Sequence, residues 1–385
     1  MACTRRSLRA PACALGVLIA LSAVPVHAGV VNPDISVVGQ PFTRWTDQPG
    51  NPDRKRATLD IGETEAIFDA ALNPYARGTF VLSFGEQGVE LEEGYFLLTR
   101  GLPLGLSLKG GKWRESFGKL NPAHPHTYPF ADRFNALAAY LPGEESFNDT
   151  GVELSKLVGL PNDIALTVSA DWLQGDSFRI ERAPSLAAND PLAADPGNGD
   201  LQDESRPAGL GRISAFVPLD DRSGIELGVS GTHGTNNASA GTRTTVLGGD
   251  AKLKYWTGAS SYLLVQSEVL SLDREVADWD SVRTAYASTS VTPFGGYLFA
   301  DYNFSPRYDA GASYERWQDP APDETWNQSF GAFAGLSLME ETTSFRLDWR
   351  YVKPGTPGDG SAPDAFHTVT LRVLFSMGPH KAHQF

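Results

Sequence analysis

The chain has 385 residues, of which 41% are hydrophobic and 10% aromatic, with 39 glycines, 26 prolines and 2 cysteines. This aromatic content excludes an extended disordered chain, and so few cysteines exclude a disulfide framework beyond one bond. A net charge of −14 argues against a general nucleic-acid-binding protein, which would carry a basic surface. Such an acidic, glycine-rich and aromatic-rich composition is typical of an all-β protein.

The segment 1–28 has the pattern of a secretory signal peptide. Three arginines precede an apolar run over 13–24, and small residues end the segment at Ala28. This run is too short to cross a bilayer as a helix, so we expect cleavage after Ala28. Both cysteines, Cys3 and Cys13, lie inside the segment. The remaining 29–385 is therefore predicted to be an exported, thiol-free domain.

Alternation of apolar and polar residues dominates the rest of the chain, and no segment after Ala28 holds a long enough apolar run for a transmembrane helix. In the clearest example, Phe345, Leu347 and Trp349 face one way and charged residues between them face the other. The charged or small face indicates a water-filled interior. Strands are predicted at 35–46, 58–72, 74–84, 89–100, 105–117, 149–159, 163–175, 208–219, 222–233, 242–256, 261–272, 293–304, 307–318, 327–339, 342–353 and 366–377.

The connections alternate in length, short after even-numbered strands and mostly long after odd-numbered ones. Bacterial outer-membrane barrels show this parity, with short periplasmic turns and long external loops. Closure also satisfies every backbone polar group in lipid. We therefore predict a transmembrane antiparallel β-barrel of about 16 strands, with a soluble periplasmic all-β fold as the alternative. The predicted long connections are 47–57, 118–148, 176–207, 234–241, 273–292, 319–326 and 354–365.

Tryptophans near the predicted strand ends are a further indication of such a barrel. In a membrane barrel they would form aromatic girdles at the two interfaces, whereas in a soluble fold they would belong to the core. These residues are Trp45, Trp113, Trp172, Trp317 and Trp349.

Three segments resemble a family of Gram-negative outer-membrane barrels described as zinc-regulated TonB-dependent outer-membrane receptors: Asn32–Gly39, Asn121–His126 and Phe375–Phe385. The resemblance implies an outer-membrane location and a link to zinc. A barrel in that membrane is expected to contact lipid and lipopolysaccharide. The chain is too short for a plug domain ahead of a larger barrel and is similar in size to a porin. The terminal Phe385 matches the aromatic end that is presented to the barrel-assembly machinery, and a homotrimer is an expectation because similar porins form trimers.

A sixteen-stranded barrel is wide enough to enclose an aqueous channel. The third external connection, 118–148, resembles in position the loop that folds inward in general porins, and 132–140 within it is predicted to form a short helix. An acidic loop facing a ladder of arginines would create a transverse field; scattered solvated charges are the alternative. The predicted pore-lining residues are Arg44, Arg346, Arg350 and Arg372 on the wall and Asp132, Glu144 and Glu145 in the loop.

Two histidine pairs are candidate metal ligands. His124 and His126 form H-x-H in the third external connection, and His380 and His383 form H-x-x-H near the C-terminus. Imidazoles at these spacings can share a zinc ion, while ordinary loop polarity is the alternative. The chain is predicted to need no resident cofactor.

Motifs of hydrolases, metalloproteases and P-loop enzymes do not occur in the sequence, so no enzymatic activity is predicted. The predicted function is a porin-like channel for passive diffusion of small hydrophilic solutes or ions. The alternative is a receptor or selective channel for metal uptake, with zinc suggested by the family resemblance and without a plug.

Overall fold

The computed structural model describes residues 33–378 except 87, 181–204, 239, 281–284, 340–341, 359 and 361–362. The predicted signal peptide 1–28, the histidines at 380 and 383, and Phe385 lie outside these residues. The described part of the chain forms one closed antiparallel barrel of 16 strands, which confirms the predicted fold class.

Three of the strands are interrupted once, and each is named here as one strand of two segments. The strands are β1 (Asp34–Gly39 and Phe42–Thr46), β2 (Ala57–Asp60 and Thr64–Asn73), β3 (Ala76–Gly85), β4 (Gly88–Leu98), β5 (Ser107–Arg114), β6 (Asn148–Gly159), β7 (Ala165–Leu173), β8 (Ala208–Pro218), β9 (Gly224–Asn237), β10 (Thr242–Trp256), β11 (Tyr262–Asp280), β12 (Ala285–Val291 and Phe294–Ser305), β13 (Tyr308–Gln318), β14 (Trp326–Met339), β15 (Thr343–Lys353) and β16 (Phe366–Met377).

Each strand pairs with its neighbours in sequence, and β1 closes the barrel against β16. Val38 lies opposite Ser376, and Thr43 lies opposite Leu371. Closure removes the free edges that would otherwise template aggregation. The short connections after even-numbered strands are present as predicted, which places the long loops together at one end of the barrel.

The interruptions of β1 and β2 lie side by side. Pro41 lacks the N–H that a ladder hydrogen bond needs, so β1 breaks at 40–41. In β2 the break contains Gly62 at φ +61°, where a Cβ atom would lie 2.3 Å from the carbonyl oxygen of Gln40. Only glycine fits this close approach between the two breaks.

The barrel is apolar outside and polar inside. Leu347 on the outer face is 50% exposed, whereas Arg350 and Asp348 on the same strand are buried. The alternation predicted around 344–351 is therefore confirmed. Because soluble proteins bury such leucines and expose such charges, this surface is suited to lipid rather than water.

Two predicted external loops are wrong in extent. Residues 234–241 and 273–292 were expected to be loops, but β9 continues to Asn237. In addition, β11 continues to Asp280 and pairs with the first segment of β12, which begins at Ala285. The charged stretch around Asp273 and Arg274 reads as a loop when strands are judged by an apolar outer face. Strands that rise above the bilayer meet water on both sides and do not need that pattern.

Helical structure among the described residues is limited to α1 (Asn135–Tyr140) and three single-turn 3₁₀ helices. No helix in this part of the chain is long and apolar enough to cross a membrane. The predicted helix at 132–140 is thus present but begins three residues later. It lies in the connection 115–147 between β5 and β6, which positions the candidate site.

Candidate functional site

The connection 115–147, called the inward loop below, folds into the barrel as predicted for the third external connection. Its residues Phe130, Phe134 and Leu137 are buried against the inner faces of the wall strands. The inward loop thereby divides the interior into a packed side and an open side.

On the packed side, the inward loop forms an aromatic core with β12 and β14. The ring of Phe134 stacks on Tyr297 with centroids 4.0 Å apart, and Phe130 meets Phe299 edge-on at 5.2 Å. Phe333 is buried in the same cluster. The expectation that inward faces carry only small or charged residues is therefore wrong here, because the inward loop supplies a dry surface that apolar wall residues can cover.

Two of the predicted girdle tryptophans belong to the packed interior instead. Trp113 at the end of β5 and Trp317 at the end of β13 are both buried in the core that includes the inward loop. Trp172 and Trp349, by contrast, lie on the outer face. Position near a strand end does not distinguish the two faces, since neighbouring residues point in opposite directions.

Arginines of the last two strands hold the backbone of the inward loop. Arg372 donates to the carbonyl oxygens of Pro125 at 2.9 Å, Tyr128 at 2.8 Å and Phe130 at 3.0 Å. Arg350 donates to the carbonyl oxygen of Asp132 at 2.7 Å. A guanidinium with several donors in a fixed fork is suited to such multiple contacts. These two predicted pore-lining residues thus anchor the loop.

Two buried glutamates of the wall hold the loop through its amides. Glu268 of β11 accepts from the backbone N–H of Lys119 at 2.9 Å and of Leu120 at 2.8 Å. Glu315 of β13 accepts from the N–H of Ala136 at 2.7 Å. The latter carboxylate satisfies a free amide in the first turn of α1, where no side-chain cap is present. Sequence reasoning missed both glutamates, because isolated inward acids look like solvated lumen charges.

The remaining predicted pore-lining residues fall into separate places. Arg44 forms an ion pair with Asp132 of the inward loop, and both side chains are partly exposed. Arg346 pairs instead with Asp309 on the wall, at 3.0 Å. Glu144 and Glu145 line a cavity on the open side. The structure therefore brings one predicted acid–arginine pair together rather than a continuous acidic face against a ladder.

The open side of the inward loop borders a cavity of about 1700 Å³. It lies between the loop and strands near the end where the long connections cluster. Acidic residues outnumber basic ones in its lining. The acids are Glu63, Glu86, Glu90, Glu92, Glu144, Glu145, Asp149 and Asp176, and the bases are Lys112, Arg179 and Arg274.

Beside this cavity, the two predicted metal-binding histidines meet glutamates of the wall. His126 Nδ1 lies 2.9 Å from Glu65 Oε1, and His124 Nδ1 lies 3.1 Å from Glu65 Oε2. Glu93 lies 3.7 Å from the other ring nitrogen of His124. Burial alone lowers the pKa of His124, but the contacts with Glu65 and Glu93 dominate and raise it to about 10.

A second group of carboxylates adjoins the first. Glu63, Glu65 and Glu92 offer oxygens within 4.8 Å of one another, as do the ligand atoms of Glu65, His124 and His126. None of these glutamates was among the residues predicted to form a site. The only signal was the acidic run on β4, which contains three glutamates within 90–93, and nothing in the sequence places it beside the histidines.

Solved structures similar to this chain include outer-membrane channels. An anion-selective porin from Comamonas acidovorans matches with a TM-score of 0.57 at 8% identity, covering 90% of this chain and 100% of that one. The outer-membrane channel DcaP of Acinetobacter baumannii matches with a TM-score of 0.58 at 10% identity, covering 93% and 100%. OmpF of Salmonella typhi, in complex with daunomycin, gives 0.56 at 11% identity, covering 89% and 98%.

Sequence comparison adds less. An uncharacterised protein of Aquifex aeolicus is 28% identical over 279 residues, which is 69% of this chain. The chain spans about half (55%) of the length of this curated relative. No protein-family model matches, and the zinc-regulated TonB-dependent receptor family finds no support in these comparisons. What the structural matches establish is the fold, and this chain has the closed 16-stranded barrel fold of porins.

Proposed function

We propose that the protein is an outer-membrane channel through which small hydrophilic solutes or ions diffuse passively. The observation that carries this proposal is the combination of a lipid-facing apolar wall with a charged cavity beside a fixed inward loop. The similar channels support an outer-membrane location in a Gram-negative bacterium. Export by the segment 1–28 is part of the proposal and rests on the sequence pattern alone. A wall of this width leaves an aqueous lumen, and the inward loop narrows it.

The cavity favours cations. Its lining is acidic overall. The side chains of Glu86, Glu144 and Glu145 are exposed, and none of them forms an ion pair within the part of the chain that the structure describes. A cleft lined by one sign of charge raises the local concentration of ions of the opposite sign. Anion selectivity belongs to the Comamonas porin by its description; for this chain the cavity argues for the opposite preference.

A salt gradient across a planar bilayer tests the channel and its selectivity together. Reconstituted protein should show steady open conductance and a reversal potential on the cation-selective side. The double variant Glu144→Gln/Glu145→Gln should move that potential toward zero. The matched control Asp163→Asn/Asp221→Asn removes the same charge from turns at the opposite end of the barrel and should leave it unchanged. An absence of conductance would contradict the proposed channel function. Anion selectivity would contradict only the proposed preference for cations.

A second candidate function is selective metal uptake, favoured by the approach of His124 and His126 to Glu65. A receptor of this kind would hold the barrel closed and bind metal, so conductance measured with and without zinc separates the two functions. Steady conductance in the absence of zinc supports the diffusion channel, whether or not zinc then reduces it. A closed barrel with metal-dependent binding supports the receptor.

Assembly is also a proposal. A structure of OmpT from Vibrio cholerae is described as a trimer form, and a homotrimer of this chain, inserted by the barrel-assembly machinery beside lipopolysaccharide, is the arrangement we propose. Cross-linking in native outer membranes should give dimer and trimer bands, and a purely monomeric pattern would contradict it.

A further inference from the structure

We propose that the inward loop and the barrel wall together form a binding site for one divalent transition-metal ion of the zinc class. Its ligands are His124 and His126 from the loop and Glu65 from β2. The nitrogen and oxygen atoms that these residues offer lie within 4.8 Å of one another. Imidazole nitrogens and carboxylate oxygens are donor types that zinc sites in proteins use.

The burial of the cluster supports a bound ion. The Glu65 side chain is 1% exposed and that of His124 15%. Glu65 Oε2 and His124 Nδ1 form a buried ion pair at 3.1 Å, but neither atom has a partner in hydrogen-bond geometry. A buried carboxylate oxygen without a hydrogen bond is costly, and a cation between the two atoms would satisfy both.

The composition of the cluster indicates the class of metal. Two imidazoles and one carboxylate suit zinc and its transition-metal neighbours, whereas magnesium and calcium prefer oxygen ligands alone. A fourth donor is close: Glu92 Oε2 lies 3.6 Å from His124 Nδ1 and also has no hydrogen-bond partner. Its other oxygen is engaged by Arg114, which holds the carboxylate in place, as outer contacts of metal ligands do.

An entry path connects this site to the cavity. Glu63 and Glu92 line the cavity and, with Glu65, form the second group of neighbouring carboxylates. A cation drawn into the acidic cavity therefore meets Glu63 and Glu92 first and the two histidines beyond them. Glu65 belongs to both groups and links the path to the site.

The site has a consequence for conduction, and this part rests on the proposed channel function. A bound divalent cation adds positive charge at the edge of a cavity that otherwise concentrates cations. Zinc should therefore lower cation conductance through the wild-type channel. Because the opposite side of the inward loop is held by the aromatic core, binding should not need a large movement of the loop.

Binding is tested directly by titrating the full chain, refolded in detergent, with zinc chloride against a fluorescent chelator. His380→Ala/His383→Ala is the background in every protein, so the C-terminal histidines do not contribute. We expect one site per chain that magnesium chloride does not compete for. His124→Ala/His126→Ala and, separately, Glu65→Gln should weaken binding by at least about 100-fold, since even outer contacts of metal ligands are worth 10–100-fold.

The matched control is His233→Ala, which removes an exposed histidine outside the cluster. It should bind zinc as the background protein does. Circular dichroism and heat-dependent gel migration show whether each variant forms the barrel, and Glu65→Gln provides a second test if the histidine variant does not refold. Binding that survives both cluster variants, or no zinc binding by the folded background protein, would overturn the site. Zinc binding without conductance in any protein would instead contradict the channel alone.

Discussion

The two sides of the inward loop meet the barrel wall through different kinds of interaction. Toward β11–β16 the loop buries a dry aromatic core, and its backbone is gripped by Arg372, Glu268 and Glu315. Toward β2 and β4 it presents His124 to buried carboxylates and borders an acidic cavity. The packed side consists of contacts within the protein that need no bound solute. The open side presents imidazole and carboxylate groups that are able to bind a cation.

This difference indicates a division of roles. Burial of aromatic rings and hydrogen bonds to backbone atoms fix the position of the loop whatever ion is present. The charged side can then interact with ions, because the interactions that position the inward loop are mostly supplied by the packed side. Variants on the packed side should therefore change how wide the channel is, and variants on the open side which ions it passes or binds.

The largest effect is expected from removing the aromatic core. In Phe130→Ala/Phe134→Ala each truncation of a buried phenylalanine costs about 3–5 kcal/mol, so the loop should detach and conductance should rise. Limited proteolysis should cut within 115–147. Phe330→Ala is the control, because that ring lies on the outer face. Unchanged conductance in the double variant would show that the core does not position the loop.

A smaller effect is expected at the arginine that grips the loop backbone. Arg372→Met leaves the carbonyl oxygens of Pro125, Tyr128 and Phe130 without this donor, and each lost bond to a charged group is worth roughly 1.5–3 kcal/mol. The inward loop should then be partly released, so single-channel recordings should show a noisier current and a moderately higher conductance. Arg372→Lys retains the charge but not the fork, so it should rescue in part. Full rescue by lysine would mean that charge alone matters.

The smallest effect is expected at Asp132, the one predicted loop acid that meets a predicted arginine. The pair with Arg44 is more than a third exposed on the acid side, and such pairs contribute about 0–1 kcal/mol. Asp132→Asn should change conductance slightly at low salt and not at high salt, where screening removes the interaction. A large effect that persists at high salt would assign this pair a part in holding the loop.

The sequence was sufficient to predict the barrel fold, but it predicted only part of the arrangement of residues inside the barrel. The alternation around Leu347 and the parity of connection lengths were sufficient to predict the strand number, because lipid and water impose the pattern on every strand. The same reasoning predicted a loop at 273–292, where β11 continues to Asp280 and β12 begins at Ala285. Strands outside the bilayer are free of the constraint that sets the alternation. It identified His124 and His126 by their spacing, and the predicted roles of these histidines and of the pore-lining charges stay predictions.

What the sequence determined by itself is local: which residues face lipid, where strands turn, and which loop is long enough to fold inward. Only the tertiary structure decided which residues meet across the interior. Glu65 is separated from His124 by nearly sixty positions in sequence, and Glu315 from Ala136 by 179. Such pairs come together only when the barrel closes and the inward loop folds into its interior. No periodicity in the sequence can therefore indicate them.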